Sequence, residues 1–216
     1  METVLLHFNN VLPQPLADYP HEPDSVWKNE FELTFPNKIL LNASSGKGKT
    51  TFSNILYGLR RDYSGQIELN GKNIAQFSLN DWVNLRRTSL SAIFQDLQLF
   101  PKLTAWENLL LKNKLTDHKT EDEIYELLSR LGLGDKKEQL CGTLSLGQQQ
   151  RIAIIRALLQ PFQLLIMDEP FSHLDEGNTH IALELINEET DKNKAGYILT
   201  TLGSRHGFMY DLELSL

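Results

Sequence analysis

Apolar positions along the chain follow two periods, and the switches between them mark out the elements. Val4-Leu5-Leu6-His7-Phe8 has strand character, and Phe31-Glu32-Leu33-Thr34-Phe35 alternates as a strand with one buried face must. Lys38 to Asn42 and Leu164 to Met167 are short apolar runs, predicted as buried strands. Gln66 to Leu69 alternates again before the Asn70-Gly71 turn, and Tyr197 to Thr200 and Met209 to Leu214 complete the predicted strands. Helical spacing governs Thr50 to Leu59, Thr104 to Leu111, Glu121 to Leu131 and Leu174 to Glu188, and Ser145 precedes a helix predicted through Leu159. Ile124, Leu127, Leu128 and Leu131 share one helical face, while Thr104 followed by Glu107 reads as a capping box. Pro13, Pro15, Pro20 and Pro23 rule out a long helix in Leu12 to Ser25, the least regular stretch. Strands and helices alternate at both ends around a helical block. The pattern predicts an α/β core over residues 1–97 and 160–216, with a helical subdomain inserted at about residues 98–159.

Composition narrows the partners. The 216 residues carry a net charge of −7, and the basic pairs Arg60-Arg61 and Arg86-Arg87 are short and scattered. Nucleic-acid binders neutralise phosphates with a basic surface, so no nucleic-acid partner is expected. No apolar run approaches the roughly 18 residues that cross a bilayer. The single cysteine, Cys141, excludes an internal disulfide and suits a reducing compartment, so a cytoplasmic location is expected.

The first candidate chemistry lies between a predicted strand and a predicted helix. Ala43-Ser44-Ser45-Gly46-Lys47-Gly48-Lys49-Thr50-Thr51 fits the phosphate-loop pattern G-x-x-x-x-G-K-[ST], with Ala43 in place of its first glycine. Small residues let backbone N–H groups converge on an anion, and the helix N-terminus adds a favourable dipole. Lys49 would set a positive charge against the β and γ phosphates, and Thr50 would offer a hydroxyl to Mg²⁺. The alternative is a Ser/Gly-rich surface turn, which leaves Lys49-Thr50 and the strand–loop–helix context unexplained.

A second feature is Asp168-Glu169-Pro170 at the end of a buried strand. Ligands in parallel α/β sheets bind beyond the carboxyl ends of strands. Asp168 could orient Mg²⁺ or its water, and Glu169 could take a proton from an attacking water. Alone, the pair reads equally as a polar strand end. Beside a phosphate loop it favours an ATPase.

Leu144-Ser145-Leu146-Gly147-Gln148-Gln149-Gln150-Arg151 resembles the LSGGQ signature of ATP-binding-cassette ATPases. The order of motifs also resembles that family: phosphate loop, Gln95 within Ile93-Phe94-Gln95-Asp96, signature, Asp168-Glu169, then Ser172-His173-Leu174-Asp175 as a D-loop. The resemblance implies a P-loop NTPase core with an inserted helical subdomain and an N-terminal antiparallel β subdomain. It implies composite ATP sites in a head-to-tail dimer, the phosphate loop of one subunit closed by Ser145, Gly147 and Gln148 of another, with Asp175 nearby. By the same analogy Gln95 contacts Mg²⁺ and the attacking water, and Tyr19 is the candidate for stacking on adenine, Trp27 being core. Cys141, His118 and His180 show no metal-ligand spacing.

Two positions depart from the family pattern. Leu146 replaces the first glycine of the signature, and Thr201 stands where the family places a histidine against the γ-phosphate. His206 follows beyond Thr201, out of reach unless the loop folds back. The segment Ala92 to Pro101 and the run Gln148 to Arg151 look most like the lipoprotein-release, macrolide-efflux and cell-division group. Such subunits serve separate membrane permeases, so the expectation is a dimeric ATPase subunit, peripheral on the inner membrane face, that receives its permease through Leu99 to Leu115. The alternatives are a nucleotide-gated module with little turnover, suggested by Thr201, and a non-transport cassette ATPase.

Overall fold

The computed structural model describes residues 4–216. Its strands are β1 (Val4–Pro13), β2 (Glu30–Phe35), β3 (Lys38–Asn42), β4 (Tyr63–Leu69), β5 (Lys72–Asn73), β6 (Leu90–Ile93), β7 (Leu164–Asp168), β8 (Gly196–Thr201) and β9 (Leu212–Ser215). The helices are α1 (Lys49–Leu56), α2 (Leu79–Thr88), α3 (Ala105–Asn113), α4 (Glu121–Arg130), α5 (Leu146–Ala157) and α6 (Glu176–Asn193). An antiparallel four-stranded sheet runs β2-β1-β4-β5, and a five-stranded sheet, parallel at every pairing, runs β6-β7-β8-β3-β9.

Both faces of the parallel sheet are covered, which is why its strands read as unbroken apolar runs. Period-two alternation still sorts their side chains. Leu40, Leu165, Met167, Tyr197 and Leu199 join the core shared with α3 to α6. Ile39, Leu41, Leu164, Ile166 and Ile198 join the other core, with the antiparallel sheet, α1 and Trp82 of α2.

The structure departs from the sequence reading at several places. Strands β5 and β6 were not anticipated, α1 ends at Leu56 rather than Leu59, β4 starts at Tyr63 rather than Gln66, and β9 starts at Leu212 rather than Met209. β1 continues through Pro13, where irregular chain was expected from Leu12, and pairs with β4 across a register shift between Asn9 and Leu12. Pro13 can end a strand because it lacks only a donor. Helix α2 was not anticipated. Leu79 and Val83 are exposed on it, but Ser78 and Asp81 form a reciprocal capping box, and Trp82 anchors it to the core. Helix α6 starts later and runs further than expected, capped by Asp175 and continuing to Asn193.

Candidate functional site

Four strand ends meet at one edge of the parallel sheet. Asn42 at the end of β3 pairs with Thr201 of β8, and Asp168 at the end of β7 pairs with Thr200. β6 ends at Ile93, placing Gln95 at the same edge. The phosphate loop, both acidic residues and the polar end of β8 therefore converge without being near in sequence.

The loop over residues 43–48 is shaped by two left-handed glycines, Gly46 at φ 80° and Gly48 at φ 103°. A Cβ on Gly48 would stand 2.6 Å from Leu16 Cδ1 and 3.3 Å from the Trp27 ring. Trp27 Nε1 also donates to the Lys47 carbonyl at 3.2 Å, so this core residue braces the loop. Ala43 lies outside the left-handed region, which explains why alanine serves where glycine was expected. Ser44, Ser45 and Gly46 are exposed at the tip, and Lys47, Gly48 and Thr51 are half-buried.

Lys49 opens α1 but is buried. Its Nζ donates to the carbonyls of Ala43 at 2.9 Å and Ser44 at 3.2 Å, and stands 3.3 Å from Glu169 Oε1. Thr50 donates to Gln95 Oε1 at 3.4 Å, and both border a cleft of about 740 Å³ with Asp168.

Thr200 organises the acidic pair. Its hydroxyl donates to Asp168 Oδ1 at 2.9 Å and accepts the N–H of Glu169 at 3.2 Å. Asp168 Oδ2 is buried with no hydrogen-bond partner. Burial pushes the Asp168 carboxyl above its ordinary value, the Thr50 and Thr200 hydroxyls oppose this, and the neighbouring Glu169 charge adds to the rise. Glu169 adopts a left-handed backbone at φ 48°, held at its carbonyl by Gln150 Nε2 at 3.2 Å.

The signature begins α5. Ser145 and Gln148 form a reciprocal capping box, while Leu146 in the first turn is 57% exposed and leaves the cap intact. A Cβ on Gly147 would stand 2.7 Å from the His173 carbonyl oxygen. Gln150 is buried and accepts the His173 N–H at 2.8 Å, so the signature helix grips the chain just after Glu169 from two sides. Asp175 caps α6 through the N–H of Asn178. Arg156 donates to the carbonyls of Leu97 and Gln98, two left-handed residues that follow Gln95. Sequence reasoning gave no individual role to Thr200, Gln150 or Arg156, and none was readable: each acts through contacts, to a carboxylate or to backbone, that only the fold creates.

Tyr19 is 61% exposed in the loop whose Leu16 packs on Gly48. Thr201 is buried, and its hydroxyl accepts the Ser204 N–H at 3.2 Å. The following loop does fold back: His206 and Glu169 line one cavity of about 230 Å³ with Thr200 and Thr201.

A glycine loop into a helix N-terminus, a buried lysine and a carboxylate pair at a parallel sheet's edge define a phosphate-loop nucleotide-binding protein. Comparison with known proteins narrows the class. The ABC transporter family profile matches residues 30–172. The lipoprotein-releasing system ATP-binding protein LolD of Buchnera aphidicola (subsp. Acyrthosiphon pisum) is 36% identical over 182 residues, covering 82% of this chain and 79% of that one. The ABC transporter ATP-binding protein YtrE of Bacillus subtilis is 32% identical over 73% of this chain and 69% of its own. A bacterial ABC transporter cassette solved as a dimer shares the fold with a TM-score of 0.81 at 21% identity, covering 97% of this chain and 94% of that one. The chain belongs to the ABC transporter ATP-binding family, in a group with LolD-like and MacB-like proteins, and is an ABC ATPase. Among its described residues no helix is long and apolar enough to cross a membrane.

Proposed function

We propose that this chain holds Mg²⁺ and ATP on residues 43–51 and hydrolyses the nucleotide with Glu169 as general base, as one of two subunits energising a separate membrane permease. The observation that carries this reading is the Lys49–Glu169 contact at 3.3 Å, at the mouth of a glycine loop. Lys49 has three donors, which two carbonyls and the Glu169 carboxylate meet. An arriving phosphate competes for that ammonium, and its capture frees the Glu169 carboxylate to accept a proton from water. Binding and arming of the base are thereby linked.

Mg²⁺ suits the oxygens present. The Thr50 hydroxyl, the Gln95 amide oxygen and the unpartnered Asp168 Oδ2 form a hard, all-oxygen donor set around one cleft. The bound ion would neutralise charge on the β and γ phosphates. Lys49 supplies the fixed positive charge, Thr200 aims Asp168, and Gln150 holds the backbone of Glu169. Ser145, Gly147, Gln148 and Asp175 would face the nucleotide of the partner subunit, where the first N–H groups of α5 are free of intrahelical partners. Tyr19, exposed beside the loop, is positioned to stack on the base.

Transport is supported by the names of the relatives, lipoprotein-releasing and macrolide export proteins among them. The groove between the core and α3, bordered by Phe100, Leu111, Lys112 and Leu115, would receive the permease, with the chain working on the cytoplasmic face of the membrane. The second reading, a gated module with little turnover, draws on the buried, already bonded Thr201. Glu169→Gln separates the two. Its kcat should fall roughly 10²–10⁴-fold while ATP binding holds and an ATP-dependent dimer accumulates on size-exclusion chromatography. A wild-type chain as idle as Glu169→Gln would favour the second reading.

A further inference from the structure

We infer that a cavity beside α2 binds a compact, largely apolar ring molecule with one hydrogen-bond acceptor, held through the Nε1–H of Trp82. The cavity has a volume of about 150 Å³ and lies between the antiparallel sheet, α2 and the start of β6 and β7. Val4, Leu6, Leu56, Leu69, Ile74 and Leu85 form apolar wall. Leu90 and Leu164, which open β6 and β7, border it too. It therefore sits at the opposite end of the parallel sheet from Gln95 and Asp168, apart from the nucleotide site.

One donor in this apolar setting is left over. Trp82 is 3% exposed, and its Nε1 is buried with no hydrogen-bond partner among the described residues. A buried indole N–H ordinarily finds an acceptor, because an unpaired one has given up its bond to water for nothing. The ring is not free to turn toward one elsewhere. Gly58 backs its six-membered half, where a Cβ would meet Cζ2 and Cη2 at 2.6 Å, and Phe77 packs on it with centroids 5.3 Å apart. Arg86 stands 5.3 Å from the ring centroid, itself tied to the Tyr57 carbonyl at 2.7 and 3.0 Å. The donor is thus preorganised, with the cavity as its open side.

Water is a poor occupant. A buried water needs about two to four polar partners. Asn70 Oδ1 is already taken by the Leu5 N–H at 2.8 Å, and Ser89 Oγ bonds with Thr88 Oγ1 at 3.2 Å. The Ser89 carbonyl accepts the N–H groups of Gln163 and Leu164 at 2.8 and 3.0 Å. That leaves Trp82 Nε1 as the buried side-chain atom of the lining without a partner among the described residues. An apolar cavity of this size takes up a molecule about as large as benzene. The free donor selects one that carries a lone pair, such as a neutral aza-aromatic ring.

The test is a titration of the ¹⁵N-labelled full chain with neutral pyridine, and with benzene, which has the same shape and no lone pair. Pyridine should move the Trp82 indole N–H downfield along a saturating curve, with a Kd on the order of 1 mM, and leave the indoles of Trp27 and Trp106 in place. Benzene should bind without that downfield movement. Leu85→Phe and Leu69→Phe fill the cavity from α2 and from β4, both from half-buried positions. Each should weaken pyridine at least about 10-fold with Tm unchanged or raised, and either suffices if the other fails to fold. ATP affinity should hold within about twofold at saturating pyridine, since the two sites share no residue. No saturable movement of the Trp82 resonance at concentrations about 10-fold above that Kd overturns the inference. So does pyridine binding that the filled variants retain, which puts the probe elsewhere, or binding that ATP displaces, which puts it on the nucleotide site. Benzene that saturates where pyridine does not overturns the acceptor and leaves a plain apolar void.

Discussion

At Gly147 the constraint comes from a neighbouring strand of chain rather than from the local backbone. A methyl group there would stand 2.7 Å from the His173 carbonyl oxygen, closer than real Cβ contacts allow. Gly147→Ala must therefore push the segment after Glu169 away from α5. The expected cost is about 1–3 kcal/mol, read as a fall in Tm of roughly 2–10 °C by thermal unfolding. Gln150 works on the same segment from below, bonding the Glu169 carbonyl and the His173 N–H. Glu169 is thus kept in its left-handed conformation by contacts to its own N–H and carbonyl, from Thr200 and Gln150. The carboxylate proposed as the base is thus aimed by its main chain.

Among the elements, α3 carries a lysine whose titration ties its stability to pH. Burial, reinforced by the Arg156 charge, lowers Lys112 from 10.5 to about 8. The fold therefore favours the neutral amine, and the unfolded chain binds more protons between those values. The associated stability is present above pH 10.5 and is lost as pH falls through about 8. At pH 7 the ammonium bears its full desolvation cost. Lys112→Met should raise Tm by roughly 2–6 °C at pH 7 and by much less at pH 10, read by thermal scans at the two pH values. Keeping a costly lysine in the groove beside Leu111 and Leu115 fits a surface that meets an acidic group on its partner. Arg156 borders the same groove and holds the turn after Gln95, so one side chain touches both the groove and the segment beside the Gln95 cleft.

Across the whole molecule, α6 straps the helical insertion to the core by two ion pairs of different depth. Lys119–Glu189 spans 2.7 Å with side chains only 8% and 2% exposed, while Arg130–Glu188 is bidentate at 2.6 and 2.7 Å but 32% and 46% exposed. Removing one member of a buried pair strands the other charge, whereas an exposed pair is screened by water. Glu189→Ala should cost about 3–5 kcal/mol and Glu188→Ala less than about 1 kcal/mol by chemical denaturation. Equal effects would mean that depth does not set the strength of these straps.

Local chemistry alone determined much of this protein. The loop 43–51 was legible because phosphate binding demands small residues, a lysine and a hydroxyl at fixed spacing, and the buried strands β3 and β7 because two covered faces require unbroken apolar runs. The motif order carried the family. Helix α2 carries Leu79, Trp82 and Val83 at helical spacing, but only Trp82 of these is buried, so its apolar positions do not mark one face turned to the core. The tertiary structure alone decided what surrounds each reactive group. Thr200 meets Asp168 because β7 and β8 pair in register, Trp27 braces Lys47 across a long chain separation, and His206 reaches the Glu169 cavity because a loop turns back. None of these contacts leaves a period or a spacing in the sequence, since each joins residues whose separation along the chain is set by the fold and not by local geometry.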